Sequence, residues 1–194
     1  NKKNVKIEFV DKNFFENYNG NHQGVMIEVN SFKYASLEDL KEAKRLILLD
    51  KIEDPHNLGA IIRSAESFGF DGVIIPEHRS AKVNPTVYKT SAGAINNIKI
   101  FMVTNLNQTI ETIKKDGFWV YGLAGESKNS LSATNLTGKV AIVVGNEGDG
   151  ISRLVRDNCD ELIKIPMLGK VNSLNASVAA ATCMYEVLRQ NDFQ

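Results

Sequence analysis

The stretch Leu162-Ile163-Lys164-Ile165-Pro166-Met167-Leu168-Gly169-Lys170-Val171-Asn172-Ser173-Leu174-Asn175-Ala176-Ser177-Val178 decides how this chain is built. Leu162–Pro166 reads as a strand, a polar loop with one glycine follows, and an Ala-rich helix begins around 173–175. Ser and Asn suit helix N-caps because their side-chain oxygens accept the first unpaired backbone N–H groups. Two such residues bracketing Leu174 at the mouth of an apolar helix point to a ligand site as well as a cap.

Two other stretches repeat the pattern. Val140-Ala141-Ile142-Val143-Val144 is a wholly apolar strand, followed by Gly145-Asn146-Glu147-Gly148-Asp149-Gly150 before the next helix. Leu46-Ile47-Leu48-Leu49-Asp50 runs into Asp54-Pro55-His56-Asn57-Leu58-Gly59, and the helix after it carries Arg63. In open α/β sheets, ligands bind in the loops at the carboxyl ends of strands. Three polar, glycine-bearing loops stand at that position here.

From residue 45 onward strands and helices alternate, with strands expected at 45–50, 72–76, 98–103, 119–124, 140–145 and 161–166. Most are continuous apolar runs, as a parallel sheet covered on both faces requires. Leu58, Ile61, Ile62, Ala65 and Phe68 give the first helix a buried face at three- and four-residue spacing. Pro85 suits the first turn of a helix around Val87. Leu174, Val178, Ala181, Tyr185 and Leu188 are expected to form the inner stripe of the last helix. Periodicity alone implies an α/β fold, a doubly wound parallel sheet with helices on both faces.

The segments Asp54–Arg63, Val144–Ser152 and Ile165–Asn175 resemble, in order and strand context, the three signature motifs of the SpoU/TrmH family, the SPOUT-class RNA ribose 2′-O-methyltransferases. The resemblance covers roughly residues 45–190. The intervening Pro76–Asn84 and Ala124-Gly125-Glu126 look most like the RlmB-type branch, which methylates a guanosine ribose in 23S rRNA. Ala176 stands where that branch often has Val, and Lys170-Val171-Asn172 replaces a Ser-rich stretch; neither removes a needed group. The resemblance implies S-adenosylmethionine as cofactor, no metal, an RNA substrate, a carboxyl-terminal trefoil knot and a homodimer with the active site at the subunit interface. Parallel sheets otherwise avoid knots, so the knot rests on the resemblance alone.

Composition agrees with an ordinary globular protein: of 194 residues, 43% are hydrophobic and 24% charged, neither disordered nor membrane-spanning in character. No apolar run reaches the length of a membrane helix and no signal peptide is evident. Cys159 and Cys183, isolated and without CxxC spacing, argue against a metal site or a disulfide scaffold. A reduced, cytoplasmic protein is the natural expectation. The net charge is zero, and charge alone would not suggest an RNA partner. Arg63, His78, Arg79, Lys82 and Lys89 nevertheless lie on neighbouring loops and helices, and the resemblance picks out Arg63, Arg79, Lys82 and Lys89 for RNA.

The chain opens on Asn1 rather than Met, and residues 1–30 look like the second half of an amino-terminal L30e-like substrate-binding domain. They offer strands at 5–10 and 24–29, a short helix capped by Asp11, and a turn at Asn19-Gly20. Residues 31–44 read as a linker with a helix after Ser36, leaving 45–194 as the catalytic domain.

Methyl transfer from a sulfonium needs binding, orientation and electrostatics from the protein. By resemblance the catalytic residues are Arg63, Asn57, Glu147, Ser173 and Asn175. A guanidinium is a poor base but suits an alkoxide or phosphate, so Arg63 is assigned to stabilising charge. Asn57 orients Arg63 or the ribose, or caps the helix. Glu147 holds Arg63, or reaches RNA bound to a facing subunit. His56, in a turn, is not assigned to catalysis. The cofactor pocket is expected from Leu123, Ala124 and Gly125; from Val144, Gly145 and Asn146; from Ile165, Pro166 and Met167; and from Ser173, Leu174, Asn175 and Ala176. Ile165, Met167 and Leu174 would sandwich the adenine.

Competing readings fare worse. A dinucleotide-dependent oxidoreductase needs GxGxxG after its first strand, where this chain has Asp54-Pro55-His56-Asn57-Leu58-Gly59. A non-catalytic RNA-binding assembly protein would not need Arg63, Glu147, Ser173 and Asn175 together. A tRNA guanosine methyltransferase of the same family is the runner-up.

Overall fold

A computed structural model describes residues 6–18, 23–26, 31–171 and 173–192. The chain divides into two compact units, Asn1–Phe32 and Lys33–Gln194.

In the smaller unit, Lys12–Asn17 forms a 3₁₀ helix after Asp11, whose side chain makes no cap bond. Phe14 packs edge-on to Phe15 and tilted against Tyr18, both at 5.5 Å between ring centres. The strand expected at 5–10 does not form over its described residues 6–10. An alternating pattern makes a strand only where a ladder partner exists, and Phe9 here is almost wholly exposed. Of the strand expected at 24–29, Gly24 stands in a turn with φ +74° and 27–29 lie outside the described residues, as does the Asn19-Gly20 turn.

The larger unit is built on seven strands: β1 (Arg45–Asp50), β2 (Gly72–Pro76), β3 (Lys99–Val103), β4 (Trp119–Leu123), β5 (Asn129–Ser130), β6 (Val140–Gly145) and β7 (Glu161–Lys164). Their order across the sheet is β3-β2-β1-β6-β4-β7-β5, and every pairing is parallel. The central pair is in register along its whole length, from Arg45 opposite Val140 to Asp50 opposite Gly145. Five helices connect them: α1 (Pro55–Ser67), α2 (Pro85–Thr90), α3 (Leu106–Lys115), α4 (Arg153–Asn158) and α5 (Ala176–Asp192).

Successive residues of a strand face opposite sides of the sheet. Leu46, Leu48, Ala141 and Val143 therefore join Ile110 and Ile113 of α3 and Val155 of α4 in one core layer. Across the sheet α1 packs against α2 and α5, burying Leu58, Ile61, Ile62 and Ala65 as the sequence stripe implies. Gly59 makes the α1–α2 approach possible, because a Cβ there would stand 1.8 Å from Thr90 Oγ1. Pro85 occupies the first turn of α2 behind the N-cap Asn84.

Within the expected linker, Leu40 and Ala43 join the core layer, Ala35 N–H donates to the Ile100 carbonyl, and the helix after Ser36 forms as a 3₁₀ turn over Leu37–Glu42 with Ser36 as its cap. Three expectations need correction. β5 has no counterpart in the sequence reading, since two polar residues carry no period. β7 ends at Lys164, which leaves Ile165 and Pro166 in the loop. Finally, α5 faces the other way. Its buried residues are Ala176, Ala179, Ala180, Cys183, Met184 and Val187, while Val178 and Tyr185 are half exposed. Three alanines and Cys183 face inward together with Met184 and Val187 where α5 lies against α1 and β6, and Val178 and Tyr185 are turned out.

Candidate active site

The chain segments leaving β1, β6, β4 and β7 all emerge at one edge of the sheet, because every strand is parallel. The segment after β6 is the tightest. Asn146 Oδ1 accepts the N–H groups of Gly148 and Asp149 at 2.9 and 2.7 Å, and Gly150 N–H returns to the Asn146 carbonyl. Gly145 is obligatory in this turn, since a Cβ there would lie 2.0 Å from the Gly150 carbonyl carbon. Asp50, buried at the end of β1, accepts the Ser152 N–H at 2.6 Å and fixes where the turn hands over to α4.

A hydrogen-bonded cluster ties three segments together. Glu147 Oε1 accepts from Asn57 Nδ2 at 2.8 Å, from Asn175 Nδ2 at 3.1 Å and from the Ala176 N–H at 3.2 Å. Asn175 Nδ2 also donates to Asn57 Oδ1 at 3.0 Å. The Asn175 oxygen caps α5, accepting Ser177 N–H, Ser177 Oγ–H and Val178 N–H. Asn57 is thus not the cap of α1; Asp54 is, through the His56 N–H. Asn57 is buried inside the first turn, turned toward the other two segments.

Glu147 of this cluster lines two cavities. One, of about 270 Å³, is lined by Leu123, Ala124 and Gly125, by Val144, Gly145 and Asn146, by Ile165 and Met167, and by Ser173, Leu174 and Ala176. These are eleven of the thirteen positions expected to hold a cofactor; Pro166 and Asn175 do not line it. Asn175 is withheld because both ends of its amide are engaged in the cluster. The cavity also has walls that the sequence reading did not assign to the cofactor, among them Glu126, Asp149, Arg156 and Lys164. The second cavity, of about 480 Å³, shares the 146–149 turn and is completed by Lys51, Glu53, Asp54 and Arg79.

Arg63 is not in the cluster. Six residues beyond Asn57 on a helix means about 9 Å along the axis and about 240° around it, and Arg63 is exposed. Glu147, expected to hold Arg63, is engaged by Asn57, Asn175 and Ala176 instead. Of the expected RNA contacts, only Arg79 lines a cavity; Lys82 and Lys89 are exposed elsewhere on the surface. Arg79 and Lys51, both lining the second cavity, have left-handed backbone, φ +54° and +59°. Among the described residues no group of three or more His, Cys, Asp or Glu could hold a metal ion, and no helix is long and apolar enough to cross a membrane.

A parallel sheet with a cavity lined by three carboxyl-end loops defines an α/β protein with its candidate site at the strand ends. Comparison places it more narrowly: residues 44–185 match the SpoU rRNA Methylase family, and the chain belongs to that family. A Bacillus subtilis protein assigned to the TrmH family of tRNA/rRNA methyltransferases is 42% identical over 98% of this chain and 80% of its own length. A Staphylococcus aureus protein with the same assignment is 49% identical over 89% of this chain and 72% of its own length. Among solved structures, the SpoU methyltransferase AviRb of Streptomyces viridochromogenes in complex with AdoMet superposes with a TM-score of 0.71, at 28% identity over 76% of this chain and 61% of that one. The TrmH/SpoU tRNA modifying enzyme of A. aeolicus gives 0.69 at 30% identity, over 79% of this chain and 81% of that one. The chain spans about half the length of a Synechocystis relative 44% identical to it.

Proposed function

We propose that this chain carries the catalytic domain of an S-adenosylmethionine-dependent RNA 2′-O-ribose methyltransferase, acting on a guanosine of 23S rRNA as a homodimer. The observation that supports it most directly is the 270 Å³ cavity walled by the second and third family motifs and the loop after β4, with Glu147, which hydrogen-bonds Asn57 of the first motif, on its wall. AviRb, a family relative, was crystallised with AdoMet. The donors in this chain suit that cofactor: backbone groups of the loops after β4 and β6 for the adenine edge, and Ile165, Met167 and Leu174 for its faces.

The bound cofactor would supply an activated methyl group on its sulfonium; the protein's part is to hold the acceptor in line. Glu147 and Asn57 lock the amide of Asn175, which in turn caps α5 and sets the wall of the cavity at Ala176. In this reading Asn57, Glu147 and Asn175 are positioning residues. Ser173, exposed at the cavity wall and without a hydrogen-bond partner among the described residues, is free to meet the substrate. Arg63 stabilises the developing alkoxide, with the proton passing to phosphate or water. RNA approaches past the 146–149 turn, where Arg79 and Lys51 line the second cavity. The chain's return from β7 to α5, packed on α1 and β6, is where the family's trefoil knot would be threaded.

The outer face of α5 supports the dimer. Val178 and Tyr185, seven residues apart on one helix face, remain half exposed, and Met167, Leu168, Val171 and Leu174 of the preceding loop are exposed as well. Exposed large apolar side chains in such number mark an interaction site, and a second copy presents the same face.

A tRNA substrate is favoured by the likeness to the A. aeolicus tRNA modifying enzyme, whose chain is matched over 81% of its length. Mass-spectrometric mapping of ribose methylation in rRNA and tRNA from cells lacking the gene separates the two. Arg63→Ala is expected to abolish turnover and leave S-adenosylhomocysteine affinity within about twofold; retained turnover rejects the role given to Arg63.

A further inference from the structure

Two charged side chains of opposite sign meet on the wall of the smaller cavity, and neither belongs to the three motifs' polar cluster. Glu126 lies just beyond β4, and Arg156 is the fourth residue of α4; both line the cavity. The Arg156 Nη1 pairs with Glu126 Oε1. Both side chains keep access to solvent, at 34% and 56% exposure respectively. The Arg156 Nε, in contrast, is buried and has no hydrogen-bond partner.

An arginine in a purely structural surface pair has no reason to leave that donor unused. Buried N–H groups are nearly always paired, and the edge of a guanidinium that carries Nε is the one that takes a carboxylate through two parallel bonds. Here Glu126 engages only Nη1. A second carboxylate, reached by a small turn of the guanidinium toward the cavity, would satisfy the remaining edge. The displaced charge balance calls for a cation beside Glu126. A ligand that brings a carboxylate and an ammonium on one carbon provides both at once.

We propose that the Glu126–Arg156 pair is the seat of the cofactor's zwitterionic amino-acid end, with the carboxylate on Arg156 and the ammonium on Glu126. This rests on the methyltransferase reading above and adds residues to it. The motif loops then hold the adenosine, which many metabolites share, and this pair distinguishes the intact cofactor from molecules lacking its tail. Lys164, the other cation on the cavity wall, has no opposite charge paired with it among the described residues. It serves as the control.

Calorimetry on the unmodified protein comes first, with three ligands: S-adenosylhomocysteine, its decarboxylated analogue S-adenosyl-3-thiopropylamine, and 5′-methylthioadenosine. A charge-assisted bidentate contact predicts that S-adenosylhomocysteine binds more than about tenfold tighter than either of the others. Arg156→Met should shrink that preference to under about threefold while leaving 5′-methylthioadenosine affinity unchanged, and Lys164→Met should leave the preference intact. Equal affinity of the unmodified protein for all three ligands overturns the proposal even if no variant folds. So does an Arg156→Met variant that keeps the full preference, or a Lys164→Met variant that loses it. Binding of none of the three would instead strike the methyltransferase reading itself, and this proposal with it.

Discussion

Asn57 offers the sharpest test of the cluster that joins the motifs, because two substitutions there should rank in an order that packing alone would reverse. Asn57→Ala removes two hydrogen bonds: the donation to Glu147 at 2.8 Å and the acceptance from Asn175 at 3.0 Å. A neutral bond contributes about 1 kcal/mol and one to a carboxylate about 1.5–3 kcal/mol; Glu147 is exposed, so screening reduces the second. The loss comes to about 2 kcal/mol. Asn57→Asp is nearly isosteric and keeps the bond from Asn175, yet it sets a carboxylate oxygen where the donor to Glu147 stood. Two like charges about 4 Å apart repel by about 4 kcal/mol at an effective dielectric of 20. Solvent around Glu147 leaves roughly half of that, giving a total of about 3–4 kcal/mol with the lost bond. For a chain of this size each kcal/mol moves Tm by about 2–4 °C. Thermal melts at neutral pH should therefore fall by about 4–8 °C for Asn57→Ala and by about 6–16 °C for Asn57→Asp. If Asn57→Asp melts at or above Asn57→Ala, burial of side-chain volume, and not the polar cluster, is what Asn57 contributes.

Gly145→Ala should abolish the fold of the 145–150 turn, since its Cβ would meet backbone 2.0 Å away; a destabilisation of at least about 3 kcal/mol in urea melts, with loss of S-adenosylhomocysteine binding, is expected. Burial pushes the Cys183 thiol up to about 12, helped by Glu186, and burial followed by the Asp160 carboxylate does the same for Cys159. Both folded-state values lie above the ordinary 9.0, so their contribution is intact below pH 9 and is lost as pH rises toward 12. Each thiol steepens the alkaline decline by about 1.4 kcal/mol per pH unit, and Cys159→Ala/Cys183→Ala should flatten it in urea melts between pH 9 and 11; an unchanged slope refutes the assignment. On α5, Val178→Asp with Tyr185→Glu should yield monomers in sedimentation without loss of helical circular dichroism; a dimer that persists would place the subunit contact elsewhere.

The strands were legible because a parallel sheet buried on both faces leaves continuous apolar runs, and 72–76 and 140–145 stand where the runs do. The cofactor loops were legible for a related reason: glycine and Asx residues follow those runs at the end where ligands bind. What failed was anything that depends on which neighbour an element meets. The stripe of α5 was assigned by helical spacing, as Leu174, Val178, Ala181, Tyr185 and Leu188. Close packing on α1 and β6 instead selected Ala179, Ala180 and Cys183 for the inside. The polar cluster could not be read because Asn57 and Glu147 are 90 residues apart, and Asn57 and Asn175 are 118 apart. Their residue types fit caps and solvated loops equally well. Arg156 gave no signal at all, being one polar residue on a six-residue surface helix, and only the cavity beside it sets it apart.

Under the proposed reading, the place of Arg63 and the outward apolar residues of α5 have one common cause. Arg63, assigned to the developing charge, stands outside the cluster; the apolar residues assigned to the inside of α5 stand outside the core. Both lie on α1 or α5, which pack against each other, with Phe68 just past the end of α1 resting edge-on against Tyr185 at 5.9 Å. A second copy seated on the outer face of α5 would therefore come up against α1 as well, covering Val178 and Tyr185 and bringing an additional Arg63 toward the edge of the sheet where the loops converge. One chain alone leaves Val178 and Tyr185 half exposed and Arg63 exposed, outside the residues that line the cavity. Under the proposed reading the dimer resolves both at once, so the monomeric α5 variant should lose turnover along with self-association.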